Sequence, residues 1–146
     1  MSTIFSPRDV SVLINGVRLA DWSDGNDVIQ AKLNADAGSY TMGANGTGVF
    51  IANPDQSGTL TLKIKQHSPD NHYLDRLFKQ QRSTLKTFTP MTLSIVDLLN
   101  DDKVSGLNGY FTTSPDYTRG MGHNAVTWTL VFEQLTITLE KGLARS

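Results

Sequence analysis

The sequence predicts a mainly β protein: antiparallel strands in a β-sandwich or barrel-like arrangement with one flanking α-helix. Three observations lead there. Leu60, Leu62 and Ile64 alternate with Thr59, Thr61, Lys63 and Lys65, the period-2 pattern of a strand with one apolar face. Asn15-Gly16 sits between two apolar runs and is the strongest short hairpin signal, because a type I′ turn needs positive φ at both central positions. Tyr73, Leu74, Leu77 and Phe78 fall at helical spacing behind Ser68-Pro69, an N-cap hydroxyl followed by proline at the first helical position.

In chain order, residues 8–14 alternate Val10, Val12 and Ile14, and residues 17–22 form the return strand after Asn15-Gly16. Asp21, Asp24, Gly25, Asn26 and Asp27 make a polar turn before a short apolar alternation over 28–33. Residues 34–55 are polar and glycine-rich, with Gly38, Gly43, Gly46 and Gly48 around Tyr40, Met42, Val49, Phe50 and Ile51. So long a segment without strong periodicity is unusual inside a compact domain. It is expected to leave the body as a hairpin or arm over about residues 35–53, within one domain spanning 1–146.

After the helix, residues 91–99 and 104–113 read as strands around the turn Asn100-Asp101-Asp102, and Ser114-Pro115-Asp116 breaks the second. Residues 123–139 make the longest strand. Val126, Trp128, Leu130 and Phe132 hold one phase, whereas Leu135, Ile137 and Leu139 hold the other. The flip at Glu133-Gln134 predicts a β-bulge or bend, since a one-residue slip otherwise turns every side chain to the wrong face.

Composition sets the class. A chain of 146 residues buries roughly 68–70% of its unfolded surface on folding, enough for a core without staples. There is no cysteine, which removes disulfides and thiolate metal sites. Residues 1–10 show neither the basic nor the apolar region of a secretory signal, and no apolar run approaches the ~20 residues of a membrane helix. The formal net charge is −1 with acids and bases scattered, so no basic nucleic-acid footprint exists. A soluble protein made in the cytoplasm is expected.

Candidate chemistry does not converge. Gly43-Ala-Asn-Gly-Thr-Gly48 has the look of a phosphate loop, but Val49-Phe50-Ile51 continues as strand where a helix must open, and the lysine is missing. His67 and His72 are five apart across a strand–helix junction, not the spacing of a helical zinc pair, and His123 stands alone. Ser83-Thr-Leu-Lys86 matches S-x-x-K without its companion motifs. Asp97, Asp101, Asp102 and Glu133 are read as solvated turn acids. Trp128 shares the core phase, whereas Tyr40 and Tyr117 lie in polar, glycine-flanked segments that suit an interface. With no catalytic constellation, the chain is read as a structural or binding protein that needs no cofactor or metal, not an enzyme.

Three blocks together resemble the small tail tube proteins of contractile-tailed bacteriophages. The first is Phe5-Ser-Pro-Arg-Asp-Val-Ser-Val-Leu-Ile-Asn-Gly16 with Ala20-Asp-Trp-Ser-Asp-Gly25. The second runs over residues 55–77, a Ser-Gly-Thr-apolar-Thr strand ending in Gln66-His-Ser-Pro69 and a short helix. The third is the Trp128-Thr-Leu strand. The resemblance implies a virion subunit that forms hexameric rings. The rings stack into a hollow tube conducting DNA during ejection, without sequence readout and without membrane insertion. It implies strands given to an inter-subunit β-barrel around the channel and an arm toward the adjacent ring. That arm maps onto Tyr40, Met42, Gly43, Asn45, Gly46, Gly48 and Phe50. Thr59, Thr61, Lys63 and Lys65 form a polar strand face for the lumen or the exterior. Tail sheath, baseplate and tape-measure proteins are the implied partners. The alternatives are a tube protein of a contractile bacteriocin or secretion particle, and a monomeric β-sandwich module binding glycan or protein.

Overall fold

The computed structural model describes residues 10–23, 28–97, 101–122 and 124–139. Its strands are β1 (Val10–Ile14), β2 (Val17–Leu19), β3 (Ile29–Leu33), β4 (Gly38–Met42), β5 (Gly48–Ala52), β6 (Gly58–Ile64), β7 (Met91–Asp97), β8 (Lys103–Thr113) and β9 (Val126–Thr138). One helix, α1 (Pro69–Ser83), follows β6. Seven strands form an antiparallel sheet in the order β2-β1-β7-β8-β9-β6-β3, while β4 and β5 pair only with each other. The protein is therefore mainly β with a single helix among the described residues, as the sequence predicts.

Asn15 and Gly16 have φ of 52° and 80°, the backbone that a type I′ turn requires, and they join β1 to β2 in the register Ile14↔Val17. The return strand is shorter than expected. It stops at Leu19 because the next two N–H groups, of Ala20 and Asp21, donate to Asp70 Oδ2 at the start of α1 (2.9 and 3.1 Å) and not to a strand. The chain then crosses to the far side of the sheet. Trp22 bridges Ile64 on β6, Ser23 N–H donates to Lys63 O (3.1 Å), and Lys65 N–H donates to Asp21 O (2.9 Å). These bonds bring the β2 side round to β6, so the sheet curls toward a barrel. Glycines and phase-matched apolar residues fill its inside: Val12, Ile14, Leu60, Leu62, Ile64, Met91, Trp128, Leu130 and Phe132 are all essentially inaccessible.

The helix begins where expected. Ser68 Oγ accepts from Asp70 N–H (3.0 Å) and donates to Asp21 Oδ2 (2.6 Å), so one hydroxyl caps the helix and ties it to the strand crossing. Leu74 is fully buried, with Tyr73, Leu77 and Phe78 packed on the core. The helix continues past Phe78 to Ser83. Lys79, Gln80, Gln81 and Arg82 are all good helix formers, and Asp75–Lys79 is an i,i+4 ion pair at 2.8 Å. Gln81 adds a tertiary reason: its amide accepts from Phe111 N–H (2.7 Å) and donates to Phe111 O (2.9 Å), pairing with β8 as a strand would.

The phase flip in the last strand is real, and an irregularity lies at Glu133-Gln134 as expected: past Gly58↔Phe132, Leu135 N–H donates to Gln56 O (2.9 Å), so β9 carries one extra residue against the segment leading into β6. β8 and β9 stay in constant register across it, from Leu107↔Gln134 to Gly109↔Phe132. A further extra residue is on β8 opposite β7, between Gly106↔Leu93 and Gly109↔Met91. There Asn108 takes φ of 57° and its amide donates to Glu133 Oε2 (3.0 Å). Phe132 and Leu135 are thus both buried despite their odd spacing. Sequence marks the strand whose phase changes, and the structure adds a bulge on its neighbour β8 that no alternation in the sequence announces. β9 begins at Val126; His123, assigned to this strand by pattern, lies outside the described residues, as do residues 98–100 of the β7–β8 turn and the Asp24–Asp27 part of the polar turn.

Candidate assembly site

The glycine-rich segment forms a two-stranded hairpin that extends the β3–β6 pair. Beyond Leu33↔Gly58, Asn34 N–H donates to Ser57 O (3.0 Å) and Asn53 N–H to Ala37 O (2.8 Å), and the ladder resumes at Gly38↔Ala52. The return strand is braced at its base by short side-chain turns. Asn53 Oδ1 accepts from Asp55 N–H (3.0 Å), and Asp55 Oδ1 accepts from Ser57 N–H (2.9 Å). The hydrogen bonds from Ser57 hold the Asp55 carboxyl below its ordinary range. At the tip, Gly43 N–H bonds Thr47 O (2.8 Å), Gly46 N–H bonds Gly43 O (3.0 Å), and Gly46 takes φ of 82°, a three-residue loop with glycine in the left-handed position. Asn45 Oδ1 accepts from Thr47 N–H (3.1 Å).

Partners in an antiparallel ladder share a face, so Tyr40 with Phe50 and Met42 with Gly48 lie on one side. Tyr40 and Phe50 meet edge to face at 5.4 Å between centroids. The glycines give these side chains room to lie flat. A Cβ at Gly38 would fall 2.3 Å from Phe50 Cζ, and one at Gly48 would fall 2.8 Å from Met42 Sδ. The result is a compact apolar platform that the rest of the described residues leaves open: Tyr40, Met42 and Phe50 are 72%, 62% and 54% exposed. Residues 37–52 carry no charge. A monomer rarely presents such a surface without use.

Thr59, Thr61 and Lys63 lie on the face of β6 opposite the core, and Lys65 follows just past the strand end. The register extends this face across three strands: Lys32↔Thr59↔Val131, Gln30↔Thr61↔Thr129, and Lys63↔Thr127. Gln30 and Lys32 were not singled out by sequence, although the alternation of β3 placed them opposite Ile29 and Ala31. A second exposed segment is the β8–β9 connection. It exposes Tyr117 and Met121, and the Arg119 guanidinium lies 4.2 Å over the Tyr117 ring. Gln66 Oε1 accepts from Asn124 N–H (3.0 Å) and pins the returning chain.

The other candidates are dispersed. Trp22 and Trp128 are core residues, the latter donating its indole N–H to Asn71 Oδ1 (3.0 Å). Tyr110 packs against Phe88. Ser83 ends the helix with its hydroxyl bonded to Lys79 O (2.8 Å). Asp97 is buried beside its turn, and Glu133 holds Asn108. Among the described residues no three His, Cys, Asp or Glu side chains are grouped to hold a metal. No helix among the described residues is long and apolar enough to cross a membrane. What the surface offers is exposed apolar elements and a hydroxyl-rich sheet face, the equipment of a subunit that packs against other subunits.

Comparison with known proteins agrees with that class. The model of the bacteriophage PhiTE tail tube protein family matches residues 1–140, so this chain belongs to that phage tail tube family. No curated protein sequence matches it. Among solved structures, the tube-terminating cap of an anti-feeding prophage, determined by cryo-electron microscopy, shares the fold with a TM-score of 0.57. The two are 13% identical, and the match covers 95% of this chain and 93% of that one.

Proposed function

We propose that this protein is the repeating structural subunit of a phage tail tube, in which hexameric rings stack into a hollow conduit for DNA. Family membership over residues 1–140 carries the reading. The chain acts as one tube domain, with the arm over about residues 35–53 reaching the adjacent ring through Tyr40, Met42 and Phe50. Gly43, Asn45, Gly46 and Gly48 shape its tip and flatten its platform. Open sheet edges such as β3 are a liability in a monomer and are removed when subunits close into a ring around a channel. The face bearing Thr59, Thr61 and Lys63, with Lys65 at its end, then meets water in the lumen or on the outside. The tape-measure protein and DNA occupy the channel, and sheath and baseplate proteins bind outside and at one end. The tail is contractile and the subunit acts in the virion after synthesis in the host cytoplasm.

A tube of a contractile bacteriocin or secretion particle is the second reading, supported by the fold shared with the anti-feeding prophage cap. Negative-stain electron microscopy of the purified protein at high concentration tests the proposal. Rings or hollow tubes are expected, and a persistent monomer that also fails to join growing tails in infected cells overturns it.

A further inference from the structure

The topology puts the two exposed apolar elements at opposite ends of the sheet. The β6–β9 ladder runs from Gly58↔Phe132, where the arm leaves, to Ile64↔Val126, where the β8–β9 connection returns. The seven residues of β6 separate those ends by about 20 Å. β4 and β5 pair with each other beyond the first end, so the arm does not lie on the loop of its own subunit.

We propose that the arm's platform docks on residues 114–122 of a second copy stacked end to end, with Tyr40, Met42 and Phe50 against that copy's Tyr117 and Met121. This rests on the reading of the arm as the joint between rings and adds its receptor. Symmetry is the first argument. An arm-to-arm contact is isologous and closes a pair of subunits head to head, which ends growth. An open stack needs a heterologous contact, so the receptor is a different surface, at the other end of the subunit. The loop is such a surface. Tyr117 is 83% exposed and Met121 fully exposed, large apolar side chains that a neighbour would cover. The Arg119 guanidinium lies over one face of the Tyr117 ring, a contact that favours one orientation of the side chain. Charge is the third argument. The platform is neutral, so the contact is made by apolar and aromatic packing, to which an adaptable Met and a rigid Tyr are suited.

The chain has no cysteine, which makes cross-linking direct. The single variants Met42→Cys and Met121→Cys, both at exposed positions, are purified, mixed, allowed to assemble, and treated with a flexible bis-maleimide. The mixture is expected to give a cross-linked dimer at about tenfold the yield of either variant alone, because contact raises the effective concentration of one thiol at the other. Dimers from Met42→Cys alone, signifying arm-to-arm contact, would overturn the proposal. Stacked rings in the micrographs without the mixed cross-link would overturn the loop assignment and spare the arm. Wild-type rings that never stack would remove the arm's role and this proposal with it.

Discussion

At Gly109 an added methyl would lie 2.2 Å from Phe132 Cε1, and at Gly58 one would lie 2.3 Å from Leu135 Cδ2 and 2.6 Å from its Cβ. Both neighbours are core side chains with little room to retreat, so Gly109→Ala and Gly58→Ala are each expected to cost about 1–3 kcal/mol by overpacking. Urea denaturation of the two variants checks this; wild-type midpoints would show that the core yields. Asn71 supplies the acceptor for the buried Trp128 indole. Asn71→Leu leaves that N–H unpaired and should cost about 1–3 kcal/mol, read in the same titration. Tyr73 donates its hydroxyl to Ile14 O (3.0 Å). Burial pushes its phenol above the ordinary value near 10, against a smaller opposing pull from Arg76. A raised folded pKa stabilises the fold below the unfolded value and is lost as pH rises through the folded one. Tyr73→Phe is therefore expected to be less stable than wild type at neutral pH, with the gap closing above pH ~10. A gap that widens with alkali would refute the assignment.

Elements differ in how far the sequence alone specifies them. The β1–β2 turn is local: Gly16 has φ of 80° with open space around it, so a side chain there is limited by backbone strain and not by a clash. Gly16→Ala should cost about 1–2 kcal/mol, measurable by thermal unfolding, while leaving the hairpin register unchanged. The helix start was legible for the same reason, since Ser68, Pro69 and the apolar stripe are all within one segment. Its end was not, because the partner of Gln81 is thirty residues away on β8. The arm is local in form, and its two strands pair only with each other among the described residues. Deleting residues 41–48 is thus expected to leave the circular dichroism and melting of the body near wild type while abolishing long tubes. Tubes of unchanged length in that deletion would sink the arm's role.

At the scale of the molecule, the absence of charge over residues 37–52 of the arm has a consequence for assembly. Charge screening is nearly complete at 1 M salt, where the Debye length is about 3 Å, whereas apolar packing persists and is strengthened by sulfate. Stacking through Tyr40, Met42 and Phe50 should therefore survive 1 M sodium chloride, with tube length scored by electron microscopy. Disassembly into rings by salt would mean that ion pairs, not the arm, hold the stack.

Alternation along β6 and β9, turn chemistry at Asn15-Gly16 and the capped helix are properties of contiguous residues, and from them the sequence by itself determined a mainly β chain with one helix and a glycine-rich hairpin or arm. Contacts between distant segments decided the rest. Asp70 ends β2, Trp22 reaches Ile64 to curl the sheet, and a further bulge sits on β8 beside the strand whose phase flips. The arm and the β8–β9 loop fall at opposite ends for the same reason. Periodicity states which face of a strand is buried, but strand order and register arise from packing between residues far apart in the chain, and only the folded sheet sets which ends of the subunit face its neighbours.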